Sequence, residues 1–167
     1  VLFAKFLQKK GLVLKTVCPT LKYCIVTSEM LYESDKALLE KTFGVPVVNE
    51  YGASELDLIA FTNKAGEFVV NSETLFVEIL DKNNRPVAHG NSGRVVITSL
   101  YNKAHPMIRY DIGDTGILSP KSTHKKPILQ ELIGRTNDVA TLPSGKTVPG
   151  LTFYYVTKSV IEDDGNV

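Results

Sequence analysis

The sequence predicts an α/β unit followed by a β-rich, barrel-like subdomain, and three observations carry that prediction. Residues 1–50 alternate apolar runs of helical spacing with short strand-like runs, the pattern of a parallel sheet joined by a crossover helix. Residues 58–118 then offer a succession of short apolar or alternating runs separated by turn-forming clusters, with almost no helical spacing. Near Leu132 the texture changes again, to two strand-like runs set among proline- and glycine-containing turns.

The elements follow in order. Leu2, Phe3, Phe6 and Leu7 recur at helical spacing, and Lys9-Lys10-Gly11 supplies a basic last turn and a glycine stop. Residues 22–27 read as a buried strand. Ser34 is placed to cap a helix whose apolar face is Leu38, Leu39 and Phe43 and which ends at Gly44. A short strand at 45–49 leads directly into Tyr51-Gly52. The meander has strands at 58–62, 67–71, 74–80, 94–100 and 107–110, with turns at Asn63-Lys64-Ala65-Gly66, 81–86 and 90–93. Its end contains Lys121 to Lys126, a solvated loop. Two further strands, 138–142 and 152–157, flank Pro143-Ser144-Gly145-Lys146 and Pro149-Gly150; Ser144-Gly145-Lys146 fits a hairpin turn. The division is therefore 1–57, α/β; 58–133, β-rich; and 134–167, the beginning of a third unit.

Bulk properties exclude several functions. A net charge of +1 over 167 residues gives no electrostatic case for nucleic acid or an anionic membrane. Lysines are scattered, with Lys9-Lys10 at a helix end and Lys125-Lys126 in a loop. No apolar run approaches the roughly 20 residues that span a bilayer, and no secretory signal pattern is visible. Cys18 and Cys24 make neither a disulfide framework nor a metal site, and Cys24 sits in an apolar run as a small hydrophobe. His89, His105 and His124 are isolated, and His105-Pro106 reads as a strand entry. A cytoplasmic location is the expectation. The chain starts without methionine in a helical pattern and stops after Asp163-Asp164-Gly165-Asn166, which leads us to expect an excised piece.

Three segments stand out: Tyr51-Gly52-Ala53-Ser54-Glu55, Ile108-Arg109-Tyr110-Asp111-Ile112-Gly113-Asp114, and Gly134-Arg135-Thr136-Asn137-Asp138. Singly, each has a plain structural reading: a tight turn with a helix cap, a β-turn between strands, and a bend with a surface arginine. Together they suit a nucleotide. The first follows an apolar strand, and α/β sheets bind ligands at the carboxyl ends of their strands. Tyr51 can stack on a flat heterocycle, and Gly52 lets a ligand approach the backbone. Ser54 offers a hydroxyl to a phosphate or carboxylate, and Glu55 an oxygen for a hard cation such as magnesium. The Asp114 carboxylate can accept from both hydroxyls of a ribose, each charge-assisted bond being worth about 1.5–3 kcal/mol. Arg135 is a permanent cation for a phosphate.

In this order and separation the three segments resemble the adenylate-forming superfamily of acyl-coenzyme A synthetases, peptide-synthetase adenylation domains and luciferases. The Tyr-Gly-x-Ser-Glu wording, Gly93-Arg94-Val95-Val96-Ile97-Thr98-Ser99-Leu100 and the Ile-Arg-Tyr-x-x-Gly-Asp segment are similar to one branch in particular. It holds phenylacetate–coenzyme A ligase, the methanogen deazaflavin-coenzyme synthetases and proteins of capsular polysaccharide clusters. Pro149-Gly150-Leu151-Thr152-Phe153-Tyr154-Tyr155 most resembles the capsule-associated members, and the likeness runs from about Lys22 onward.

The resemblance implies the C-terminal part of the large domain of such an enzyme plus the start of its small α+β domain. It implies a carboxylate attacking the α-phosphate of ATP to give an acyl-adenylate, with ATP/AMP, Mg2+ and coenzyme A as cofactors, and a homodimer as the assembly. Tyr51 would lie against adenine, with Asn49 and Glu50 at the purine edge. Gly52 and Ala53 would line the carboxylate pocket. Ser54 would bond phosphate or carboxylate, Glu55 would hold magnesium, Asp114 the ribose hydroxyls, and Arg135 the ribose or phosphate. Thr27-Ser28-Glu29 stands where the family often has Gly-Glu-Pro as an adenine shelf; the glycine and proline are absent. The family hinge is usually Asp or Lys, and its position here is Asn137, with Asp138 next.

The family's phosphate loop would lie before residue 1 and its catalytic lysine after residue 167, so this chain alone is expected not to adenylate. Arg109 and Tyr110 either approach the nucleotide or form a strand pair beside Asp114. The acceptor, whether coenzyme A, an amine or a sugar, stays open at this level, as does the carboxylate. The competing reading is a non-catalytic nucleotide-binding or protein-interaction module on the same scaffold.

Overall fold

The computed structural model describes residues 1–29, 31–135 and 139–149. The first layer contains α1 (Leu2–Lys9), the short α2 (Leu14–Val17), β1 (Cys24–Val26), α3 (Glu33–Phe43) and β2 (Val47–Ala53). β1 and β2 are parallel, Cys24 opposite Val47 and Val26 opposite Asn49, with α3 as the crossover between them. Ala4, Leu39 and Val47 form a small core with Leu38 and Phe43 against it. The Phe3 ring packs 6.0 Å from that of Phe43. Of the apolar stripe expected on α1, only Leu7 is buried, joined by Ala4. Leu2, Phe3 and Phe6 stay 72, 52 and 51% exposed, because the helix meets α3 along one narrow line.

The boundaries of α3 differ from expectation at one end. Tyr32 occupies the N-cap in extended conformation and no side chain caps the helix, so Ser34 lies inside the first turn. Glu33 and Asp35 instead place negative charge at the positive end of the helix dipole. At the other end Gly44 adopts φ 70°, where a Cβ would meet Val13 Cγ1 at 2.8 Å. Left-handed backbone and close approach both call for glycine here.

From β2 onward the sheet is antiparallel, through β3 (Asp57–Thr62), β4 (Phe68–Val70), β5 (Leu75–Leu80), β6 (Ser92–Ser99), β7 (Tyr110–Leu118) and β8 (Ile128–Arg135). The eight strands run in the order β1-β2-β3-β4-β8-β7-β6-β5. One apolar core takes Ile59 from β3, Val70 from β4, Ile79 from β5, Val95 and Ile97 from β6 and Leu129 from β8. Strands far apart in the sheet order share that core, so the sheet curls over it. β1 and β5 remain its two edges, and the barrel-like subdomain is thus a curled, open sheet.

Two strands were not foreseen at their true length. β7 runs to Leu118, whereas alternation predicts only 107–110. Gly113, Asp114 and Gly116 look like turn residues, yet Gly116 pairs with both β6 and β8, Asp114 pairs with β8, and Gly113 is carried in the bulge between Asp111 and Thr115. β8 arises from residues whose apolar pattern is broken by Gln130-Glu131, and Leu129 buries it. Beyond it β9 (Val139–Thr141) and β10 (Thr147–Pro149) pair antiparallel. Gly145, at φ 79°, turns the chain between them; its N–H donates to the Leu142 carbonyl at 2.8 Å, and the Leu142 N–H to that of Lys146. That is the hairpin turn expected of Ser144-Gly145-Lys146. Asn137, expected as a hinge, and the strand expected at 152–157 lie outside the described residues. No helix among the described residues is long and apolar enough to cross a membrane.

Replacing Leu129, which is fully buried, by alanine is expected to lower unfolding stability by about 2–5 kcal/mol in urea titration. A smaller loss would mean that the curled sheet closes over the cavity. Burial raises the Cys24 thiol above its ordinary value, while Cys18 is exposed. Since the thiolate is the nucleophile, less of Cys24 reacts at pH 8. Mass spectrometry should find Cys18 alkylated by iodoacetamide well before Cys24; equal rates would place both thiols in open solvent.

Candidate functional site

A cleft of about 660 Å³ opens where the carboxyl ends of β1 and β2 meet the start of β7. Its floor is built by local sequence. Thr27 and Ser28 follow β1 and line it, Ser28 at φ 71°. Glu50, Gly52 and Ala53 come from the end of β2, and Ser54 and Glu55 from the turn that follows. That turn leads into an antiparallel strand and not into a helix, so no helix cap is involved. The Leu56 N–H donates to the Ala53 carbonyl at 3.1 Å, and the Leu56 side chain, 2% exposed, anchors the turn in the core. Asp57 at φ 63° starts the return strand.

The register between β2 and β3 slips between Tyr51 and Gly52. Such a bulge sharpens the local twist and re-aims neighbouring side chains. A Cβ on Gly52 would lie 2.6 Å from Glu50 Oε1 and 3.0 Å from the Asp57 carbonyl, which explains the glycine. The opposite wall is β7, whose residues Tyr110, Ile112 and Asp114 share one face by the period-two rule.

Two hydrogen bonds tie the wall to the floor. The Tyr51 hydroxyl donates to Asp114 Oδ2 at 2.6 Å, joining residues 63 apart in sequence. The Tyr110 hydroxyl donates to Glu55 Oε1 at 3.1 Å across the same cleft. Side chains of Glu50, Glu55, Asp57 and Asp114 make the lining acidic, and no lysine, arginine or histidine among the described residues lines it. These carboxylates do not converge into a ready metal cage: no group of three or more His, Cys, Asp or Glu among the described residues is arranged for one.

The residues singled out in the sequence fall out as follows. Glu50, Gly52, Ala53, Ser54, Glu55 and Asp114 line the cleft, and Tyr51 reaches it through Asp114. Asn49 lies one step back, its N–H donating to Thr62 Oγ1 at 2.8 Å. The backbone of Arg135 pairs opposite Asp114 across β7 and β8, so the second and third segments are neighbours in the sheet. Thr27 and Ser28 of the proposed shelf line the cleft and Glu29 does not. Of the two residues left open, Tyr110 joins the site. Arg109, at φ 49°, turns its guanidinium onto Glu78 of β5 with Nε–Oε2 3.1 Å, and does not line the cleft. Asp57, Leu58 and Ile112 were missed. Ile112 was recoverable from its spacing to Asp114 had residues 110–118 been recognised as strand; Asp57 and Leu58 carry no signal besides their nearness to Glu55.

No family model matches the chain. It is 35% identical over 104 residues to the protein CapK of Staphylococcus aureus, covering 60% of this chain and 22% of CapK. It is 28% identical over 125 residues to the phenylacetate-coenzyme A ligase of Aromatoleum evansii, covering 72% of this chain and 28% of that enzyme. The chain therefore spans about a quarter of the length of these relatives. Among solved structures, 2-hydroxyisobutyryl-CoA ligase in the postadenylation state, in complex with 2-HIB-AMP, superposes with a TM-score of 0.71 at 22% identity. The match covers 87% of this chain and 32% of the ligase. The fold is that of the adenylate-forming ligases. The strand arrangement matches part of the ligase fold, and the sequence likeness is to CapK and to phenylacetate-coenzyme A ligase.

Substituting Gly52 by alanine is expected to cost about 1–3 kcal/mol, because the Asp57 backbone cannot move aside as the Glu50 side chain can. Thermal melting checks the loss, and amide spectra should localise the change to residues 50–57. An unshifted melting curve would mean that the β2–β3 bulge accommodates a methyl group.

Proposed function

We propose that this chain contributes the adenine- and ribose-binding half of a ligase that activates a carboxylate as its acyl-adenylate. The observation that carries the proposal is the Tyr51–Asp114 hydrogen bond, which ties an aromatic residue to a carboxylate of the cleft. An aromatic face for a base and a two-oxygen acceptor for a ribose are what a nucleoside requires. The superposed 2-hydroxyisobutyryl-CoA ligase holds an acyl-AMP, which supports the assignment.

In this proposal Tyr51 lies against adenine, Asn49 and Glu50 border the purine, and Asp114 accepts from the ribose hydroxyls. Gly52 and Ala53 leave room for the reacting carboxylate, which Ser54 helps to orient. Arg135, on the strand beside Asp114, meets ribose or phosphate. The work of these residues is positioning and electrostatics around the transferring group. A polyanionic nucleotide entering an acidic cleft needs countercharge. Glu55 is exposed at the cleft mouth, with Oε1 held by Tyr110, and fits the way Mg2+ is bound, through one or two carboxylates plus substrate phosphates. Bound there, the ion would neutralise phosphate charge.

The further assignments belong to the same proposal: coenzyme A as acceptor, Asn137 as the hinge, and 1–57, 58–133 and 134–167 as the units. So does the absence of adenylation by this chain alone. Carboxylate-dependent pyrophosphate–ATP exchange by the complete gene product, over a panel of aryl and small organic acids, tests the activity. Replacing Asp114 by alanine is expected to weaken AMP binding by about 100-fold or more, the worth of two charge-assisted hydrogen bonds. Undiminished binding in the variant, or no exchange with any acid by a folded protein, would favour a non-catalytic module.

A further inference from the structure

The carboxylate of Asp114 is presented by an irregular piece of strand, and one side chain outside the cleft holds that irregularity. Between β6 and β7 the register runs from Arg94 opposite Thr115 to Val96 opposite Asp111. Two steps along β6 thus face four along β7, and the surplus bulges out around Gly113, which adopts φ 83°. On its other side β7 stays in the ladder, Asp114 opposite Arg135. A bulge of this kind re-aims a side chain, and here it lies immediately before Asp114.

Asp111 spans the bulge. Its Oδ1 accepts from the Gly113 N–H at 3.1 Å, and its Oδ2 accepts from Arg94 Nη1. The arginine is itself fastened: Nη2 donates to the Asp81 carbonyl at 3.1 Å and to Asn84 Oδ1 at 2.5 Å, both in the loop after β5. Asp111 alternates with Tyr110, Ile112 and Asp114 along β7 and is not part of the cleft lining, so it does not touch a bound ligand.

We propose that Asp111 is a positioning residue for Asp114, using one oxygen to cap the Gly113 amide and the other to lock onto Arg94. The role rests on the reading of Asp114 as the ribose ligand. Its special feature is that the acceptor, not the charge, contacts the bulge. Asparagine at 111 keeps an Oδ1 for Gly113 but turns an N–H donor toward Arg94, so it tests the cap without the lock; exchanging the charges, Arg94→Asp with Asp111→Arg, keeps a salt bridge but removes the acceptor.

The test compares affinities for AMP and 2′,3′-dideoxy-AMP, because only the first offers hydroxyls to Asp114. The parent protein is expected to prefer AMP by at least about tenfold. Asp111→Asn should keep that preference. Asp111→Ala and the charge exchange should lose most of it while binding of the dideoxy nucleotide stays within about threefold, since the base contacts are untouched. A general loss of structure would weaken both nucleotides together and overturn the proposal, as would restoration of the preference by the charge exchange. Asp114→Ala separates the two levels of inference. A preference that survives Asp114→Ala overturns the ribose assignment and this role with it. A preference lost in Asp114→Ala but kept in Asp111→Ala overturns the positioning role alone.

Discussion

The shared apolar core of Ile59, Val70, Ile79, Val95, Ile97 and Leu129 is the constraint on which the remaining architecture depends. These side chains come from two separated parts of the sheet, β3, β4 and β8 on one side of β7 and β6 and β5 on the other, and they can meet only if the sheet curls. A regular antiparallel ladder resists such bending, and β-bulges relieve it. The register shifts occur between Tyr51 and Gly52, between Arg94 and Val96, and twice between β7 and β8. Glycines accompany them where strands press closest: a Cβ on Gly116 would meet Val95 Cγ2 at 3.0 Å and the Glu131 carbonyl at 3.2 Å. Bending the sheet and shaping the cleft are therefore the same event, since the bulges at Tyr51/Gly52 and around Gly113 adjoin the cleft-lining residues.

Polar contacts then select one geometry out of what the curl permits. The Arg94–Asp111 and Arg109–Glu78 pairs are partly exposed, and pairs of that kind add only about 0.2–1 kcal/mol each. Their value lies in direction. Arg94 and Arg109 both reach the loop after β5, at Asn84, and so hold the beginning of β7 against β5 and β6. The cleft side of β7 is tied by Tyr51 to Asp114 and by Tyr110 to Glu55. The strand is thus fixed on one face by ion pairs and on the other by tyrosine hydroxyls.

Much was legible from local chemistry. The helix ending at Gly44, the hairpin turn at Gly145 and most strand positions follow from periodicity and turn residues, which act over a few neighbours. The residues of the Tyr51–Glu55 segment were recognisable because a strand end, an aromatic ring, a glycine and a carboxylate fall within one short run. Resemblance to the adenylate-forming ligases added the link between that segment and Asp114, and the fold agrees with it.

What the chain alone could not disclose depends on partners distant in sequence. Gly113-Asp114 has the composition of a turn, and is carried within a strand because β8 pairs Asp114 and β6 pairs Asp111 and Thr115 on either side of the bulge. Tyr110 and Arg109 are adjacent and chemically similar in reach, yet one faces Glu55 and the other Glu78. Tyr110 opens β7 and points by the alternation of that strand, whereas Arg109, just before it, is turned away by its left-handed backbone at φ 49°. Local propensity could name the groups; only the curled sheet, by burying one apolar core, determined which of them share a cleft.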